Sequence, residues 1–133
     1  MQILERALID EDREVRIAAV RAIGGRNARA ALPRVEAAIK GRDLRESNLS
    51  EKMAFFEAYG LMCGDGGVPL LDGILHAKGF MGKRDDSELR ACAAMALGKV
   101  NTPKALESLN RAVSEKDVIV RNAVSRAIRG TAA

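Results

Sequence analysis

The chain has 133 residues, of which 47% are hydrophobic and 30% are charged, and its formal net charge is +4. No stretch reaches the roughly 18 consecutive apolar residues of a membrane-spanning helix, and the first residues lack the basic flank and apolar run of a signal peptide. We therefore expect a soluble, cytoplasmic, single-domain protein covering residues 1–133. Its core is expected to consist of small and branched aliphatic side chains, because only 3% of the residues are aromatic.

In chain order, the apolar periodicity and the capping residues predict eight helices. Their approximate bounds are 2–9, 12–24, 28–40, 48–62, 66–78, 86–98, 102–114 and 117–129. Each helix has a single apolar stripe, so antiparallel pairs must stack on one another to bury it. The sequence thus predicts an all-α solenoid with three full repeats, a lone second helix at the start and a lone first helix at the end.

The first helix of each repeat carries the same residue types at the same positions. The string DREVRIAAVRAIGG at 12–25 returns as DSELRACAAMALGK at 86–99 and as DVIVRNAVSRAIRG at 117–130. Each copy begins with an N-cap residue and has a cation four residues later; these pairs are Asp12 and Arg16, Asn48 and Lys52, Asp86 and Arg90, and Asp117 and Arg121. We expect each pair to stabilise its own helix, the cap oxygen by accepting backbone hydrogen bonds and the cation by lying on the same face.

When the four copies are aligned on their N-caps, the position twelve residues after the cap forms what we call the glycine column. It contains Gly24, Gly60 and Gly98 in the first three copies and Arg129 in the last. Because glycine readily adopts the left-handed conformation that ends a helix, we expect the first helices to end at these residues.

The pattern Asp-x-x-Val-Arg-x-x-Ala-x-x-Ala-Ile-Gly resembles bacterial HEAT repeats, in particular the short type first named from phycobilisome lyase subunits. The resemblance implies a right-handed HEAT/armadillo-like solenoid that acts as a protein–protein interaction scaffold, adaptor or regulatory module. We expect the chain to be the C-terminal part of a longer protein. Were it complete, we would expect end-to-end self-association through residues 1–9.

Two insertions between repeats, 40–48 and 76–86, are expected to lie along one edge of the solenoid, and insertions in repeat proteins often collect on the binding face. Phe80 and Met81 are the predicted apolar anchors for a partner protein. The cations expected to attract an acidic partner are Lys40, Arg42, Arg45, Lys83 and Arg84. The alternatives are that Phe80 covers the solenoid's own core and that 40–48 is an ordinary solvated loop.

Few residues offer catalytic or metal-binding chemistry. His76 is the one histidine, Cys63 and Cys92 are too far apart for a metal pair, and Asp72 has no obvious partner. The paired His-Glu motifs of HEAT-type hydroxylases do not occur, so we expect neither cofactor, metal nor enzyme activity. We also expect no membrane partner.

The alternative function is nucleic-acid binding by the basic C-terminal repeat. This alternative has less support because Phe55, Phe56 and Tyr59 are spaced as on one side of a helix. That spacing is typical of core packing rather than of a base-stacking surface.

Overall fold

The computed structural model of the protein describes residues 2–77 and 86–131, and within these ranges every regular element is helical. Short 3-10 turns at Arg29–Ala31 and Gly64–Gly67 lead into α3 and α6. The helices are α1 (Gln2–Ala7), α2 (Arg13–Gly25), α3 (Leu32–Lys40), α4 (Arg42–Arg45), α5 (Leu49–Cys63), α6 (Val68–Leu75), α7 (Ser87–Val100), α8 (Pro103–Asn110) and α9 (Val118–Thr131).

The helices form an all-α solenoid in which α2, α5, α7 and α9 are the first helices of successive repeats and pack closely in that order. Two contacts between α5 and α7, Lys52 with Glu88 and Gly60 with Ala96, have the same offset of 36 residues. The first helices therefore run parallel. The second helices α1, α3 and α6 pack mainly on the first helix of the following repeat, which is α2, α5 and α7 in turn, whereas α8 packs on both α7 and α9.

Local sequence explains where the helices begin. The side chains of Asp12, Asn48 and Asp86 accept hydrogen bonds of 2.8, 3.0 and 2.6 Å from backbone N–H groups in the first turns of α2, α5 and α7. Asp117 accepts bonds of 2.9 and 3.3 Å in the first turn of α9. The second helices α3, α6 and α8 have proline in the first turn, where no intrahelical donor is needed.

The expectation that the glycine column ends the first helices is wrong, because Gly24, Gly60 and Gly98 all lie inside α2, α5 and α7. They allow the next first helix to approach closely. A methyl group on Gly60 would lie 2.5 Å from the carbonyl oxygen of Ala96, and one on Gly24 would lie 2.9 Å from the Cβ of Ala58. Left-handed residues do occur, but three or four positions later, at Asn27, Gly64 and Asn101.

The expected pairing of a cation with its own N-cap is wrong for Arg16, Lys52 and Arg90, which contact residues of other repeats instead. Arg16 donates two hydrogen bonds, of 2.6 and 3.0 Å, to Glu51, and Lys52 donates one of 3.1 Å to Glu88. The guanidinium of Arg90 donates to Glu115 at 2.8 Å and to the carbonyl oxygen of Leu75 at 2.9 Å. These three cations therefore lie at the interfaces between repeats, and Lys52 also lies 3.6 Å from a carboxylate oxygen of Asp86, the N-cap of the next repeat.

The core is one continuous cluster of small and aliphatic side chains with a few larger ones. Phe55, Phe56 and Tyr59 are buried, which confirms that they are core residues. Tyr59 donates a 2.7 Å hydrogen bond to Glu36, and burial together with this bond raises its pKa. None of the helices in the described ranges has the length and apolar character needed to cross a bilayer.

The first insertion differs from the expected loop. Residues 42–45 form the short helix α4, and Leu44 is buried against the core while its charged neighbours remain exposed. Residues 78–85 of the second insertion lie outside the described part of the chain.

Candidate binding groove

A groove of about 670 Å³ lies across three neighbouring first helices, α5, α7 and α9. Its lining comes from these helices and from Asn101 at the end of α7. The lining residues are Leu49, Met53, Glu88, Ala91, Cys92, Met95, Gly98, Lys99, Asn101, Ile119, Asn122, Ala123, Arg126, Ala127 and Gly130. We call this surface the groove.

The walls of the groove carry large apolar side chains that the fold leaves in contact with water. Leu49 and Met53 of α5 are 42% and 45% exposed, and Ile119 of α9 is 56% exposed. Isolated exposed apolar residues are common, but several lining one concave surface are typical of a binding site. The groove is therefore the strongest candidate binding surface in the described part of the chain.

The floor of the groove is formed by one face of α7, with residues at positions 88, 91, 95 and 98. Ala91 has a small side chain, and Gly98 packs against Ala127 of α9. Cys92 also lines the groove but is only 2% exposed, and burial raises the pKa of its thiol to about 12. It is therefore protonated and a weak nucleophile near neutral pH.

The two ends of the groove differ in charge. At the end where α7 begins, Glu88 is neutralised by Lys52. At the other end, Lys99 lies 3.5 Å from Glu57, with both side chains half exposed, while no charged partner is seen for the exposed Arg126 within residues 2–77 and 86–131. The end where α7 and α9 terminate therefore has excess positive charge.

The structure places only part of the predicted loop-edge site. Lys40 lies 3.7 Å from Glu36 and Arg42 lies 4.0 Å from Glu46, each with an acidic residue four positions away, while Arg45 ends α4. The other predicted residues, Phe80, Met81, Lys83 and Arg84, lie outside the described residues. The edge therefore stays a prediction, and the groove is a different surface, which the sequence analysis missed.

The sequence contains only a weak indication of the groove. Apolar residues are distributed nearly all round α5, so one repeat cannot bury all of them. Leu49, Met53 and Met95 lie at helical positions outside the apolar stripe that the repeats share. Their exposure, however, depends on how closely α5, α7 and α9 pack, which periodicity alone does not give.

A polar cluster between α6 and α8, which also contains His76, corrects the expectation that Asp72 has no partner. Asp72 accepts a 2.5 Å hydrogen bond from the hydroxyl of Ser108 and another from the guanidinium of Arg111. The Nε2 atom of His76 lies 3.0 Å from the carbonyl oxygen of Ser108. Burial by itself would raise the pKa of Asp72, but the bonds from Ser108 and Arg111 outweigh it and lower the pKa.

Ser108 itself is only 1% exposed, so its hydroxyl is inaccessible to a substrate in this conformation. The cluster therefore links two second helices. Within the described ranges, no group of three or more histidine, cysteine, aspartate or glutamate side chains is arranged to hold a metal ion.

Comparison with known proteins gives a match at the level of the fold. No family model matches the chain, and no curated protein matches it. Among solved structures, the chain is similar to human deoxyhypusine hydroxylase in complex with glycerol, with a TM-score of 0.64 and 22% sequence identity. The match covers 98% of this chain and 43% of the hydroxylase, and it supports a HEAT-like helical repeat fold.

The same comparison corrects the expectation that the chain is not an enzyme. The similar structure is that of an enzyme, so a HEAT-like fold is compatible with enzyme activity. The missing motif pairs and the helical architecture were therefore insufficient grounds for that expectation. At 22% identity the likeness concerns the fold, and the chain spans less than half of the hydroxylase.

Proposed function

We propose that the chain is a protein-interaction module, a scaffold or adaptor built from short bacterial-type HEAT-like repeats, and that its groove binds a segment of a partner protein. The observation that carries the proposal is the concentration of Leu49, Met53 and Ile119, all exposed, in one groove of about 670 Å³. Apolar side chains of a partner would remove these three residues from water, which is the dominant favourable term in most protein association.

The proposed partner has some acidic character, because the groove ends in Lys99 and Arg126. The loop edge predicted from the sequence, with Lys40, Arg42, Arg45, Phe80, Met81, Lys83 and Arg84, is a second proposed contact for such a partner. Its cations would mainly speed association, since exposed charges are largely screened by salt.

Nucleic-acid binding through the basic C-terminal repeat is the weaker alternative. Arg111 is engaged by Asp72, and Lys99 lies beside Glu57, which reduces the charge available to phosphates. The exposed apolar side chains of the groove have no role in a phosphate-binding surface.

A peptide-display selection on the purified chain tests the proposal. Selected peptides should bind the wild-type chain, and the double variant Met53→Ser, Ile119→Ser should weaken binding by about tenfold or more, as expected when central apolar anchors are removed. The matched control is Leu61→Ser, Val113→Ser, which changes two equally exposed apolar residues that do not line the groove.

Circular dichroism should show the same helix content for all three proteins, because the substituted side chains are on the surface. Equal binding by both double variants would overturn the groove as the binding surface. A selection that yields no binding peptide at all would count against the interaction module itself.

A further inference from the structure

We infer that the partner segment is an amphipathic α-helix that lies antiparallel to α7, with acidic residues in its first turn beside Lys99 and Arg126. This inference rests on the proposed function and adds to it the conformation, orientation and charge pattern of the bound segment.

The shape of the groove suits a helix. Its lining follows α7 from Glu88 to Lys99, which corresponds to about 16 Å, or three turns, at 1.5 Å per residue. The walls are two helices parallel to that floor, α5 on one side and α9 on the other. A fourth helix can lie over α7 between these walls, where the small side chain of Ala91 allows a close approach.

The side chains of the walls suit apolar anchors spaced along a helix. Leu49 and Met53 are one helical turn apart on α5, and Met95 lies between α5 and α9 on the floor. Methionine is flexible and polarizable, and it adapts to the apolar face of a bound helix. Partner residues at positions i, i+3 or i+4, and i+7 would fill such a groove.

The charges give the orientation. Because the first helices run parallel, the carboxyl ends of α7 and α9 lie at the same end of the groove as Lys99 and Arg126. Helix carboxyl ends carry partial negative charge, which favours the amino end of a neighbouring antiparallel helix. Acidic residues are stabilising in a first turn, so a partner in this orientation places its carboxylates next to the two cations.

The experiment uses two synthetic peptides of identical composition and identical apolar stripe, each about 16 residues long to allow helix formation. One has three glutamates in its first turn and the other has them in its last turn. Fluorescence anisotropy measures their binding to the wild-type chain, to Lys99→Glu, Arg126→Glu, and to the control Lys104→Glu, Lys116→Glu. The control reverses two exposed charges outside the groove.

We expect the peptide with the acidic first turn to bind the wild-type and control proteins at least about fivefold more tightly than its isomer. This ratio is what two exposed ion pairs, one with Lys99 and one with Arg126, would contribute to binding. The preference should disappear in Lys99→Glu, Arg126→Glu. A nitroxide at the amino end of that peptide should broaden the amide signals of Gly98 and Lys99, and leave those of Ser87 and Glu88 sharp.

Equal affinity of the two peptides, a preference that survives the charge reversal, or broadening at Ser87 would each overturn the inference. If neither peptide binds while display-selected peptides still depend on Met53 and Ile119, the helix inference fails and the proposed function stands. If the display-selected peptides are also insensitive to these residues, the proposed function fails as well.

Discussion

The glycine near the ends of α2, α5 and α7 shows that the same residue type can be required for two different structural reasons, close helix packing or helix termination. Gly60 is needed because the backbone of Ala96 lies against it, and not because it ends a helix. A sequence cannot separate these two causes, since both place glycine near the end of an apolar stripe. The N-caps, in contrast, were predictable because a cap depends only on its neighbours in the chain.

Gly60→Ala is predicted to destabilise the chain by about 1–3 kcal/mol, the usual cost of overpacking a close contact. The new methyl group would lie 2.5 Å from the carbonyl oxygen of Ala96, so two helices would have to separate. Gly73→Ala in α6 is the control, because no atom of a neighbouring element lies within 4 Å of the added methyl group. Urea denaturation measures both, and equal stabilities would contradict the close-approach explanation.

Arg90→Met is predicted to cost about 3–5 kcal/mol of unfolding free energy, the range measured when one partner of a buried ion pair is removed. Arg90 is 2% exposed, and its loss removes donors from Glu115 and from the carbonyl oxygen of Leu75. Arg121 occupies the same column but is exposed, so Arg121→Met should change stability by no more than about 0.5 kcal/mol. Denaturant titrations that gave similar losses for both variants would show that burial is not what makes these cations important.

Asp72 gives a pH prediction with a definite sign. Its pKa is lowered in the folded chain, so its contribution to stability is present above the ordinary aspartate pKa of about 3.9 and is lost as the pH falls through the lowered value. Asp72→Asn should therefore lose less stability than the wild type as the pH falls below the ordinary aspartate pKa of about 3.9. Thermal melts followed by circular dichroism test this, and parallel acid profiles for the two proteins would argue against it.

At the scale of elements, the order of the helices was predicted well from the sequence, but the ion-pair partners of their side chains were predicted poorly. The first helices follow from repeated N-caps and apolar stripes, which are local signals. The cations of Arg16 and Lys52 pair across the interface between repeats, and such partners depend on the distance between helices. The helix α4 was missed because its four residues include a single buried side chain, Leu44, which gives no periodic pattern.

The groove was missed for a related reason. Met53 and Met95 are ordinary helix-forming residues, and a sequence does not tell whether such side chains meet a neighbouring helix or water. Their exposure follows from the parallel stacking of α5, α7 and α9, with the second helices on other faces. Sequence patterns therefore predict that a helical repeat has a core face, but they do not identify which of its remaining faces binds a partner.

At the scale of the whole molecule, the repeat interfaces bear on end-to-end self-association through residues 1–9, which we expected for the case that the chain is complete. A further first helix packed on α9 would meet Arg129 in the column where α2, α5 and α7 have glycine. A side chain at that position prevents the close approach seen between Gly98 and Ala127. We therefore expect Arg129 to oppose stacking of one copy of the chain on another.

Arg129→Gly is predicted to increase self-association, because α9 of one copy could then approach α2 of the next, with Arg121 facing acidic residues such as Glu14. Light scattering over a range of concentrations measures the average mass, and Arg129→Lys should behave like the wild type. If the glycine variant has the same mass as the wild type at every concentration, Arg129 is not what opposes stacking.

The central claim is that the groove is the binding surface, and methyl NMR of the chain labelled at its five methionines tests it most directly. Met53 and Met95 line the groove, Met62 is buried elsewhere, and Met81 belongs to the predicted loop edge. On addition of a display-selected peptide, the signals of Met53 and Met95 should shift while that of Met62 stays in place. A shift of Met81 with Met53 and Met95 unchanged would contradict the claim and place the partner on the loop edge.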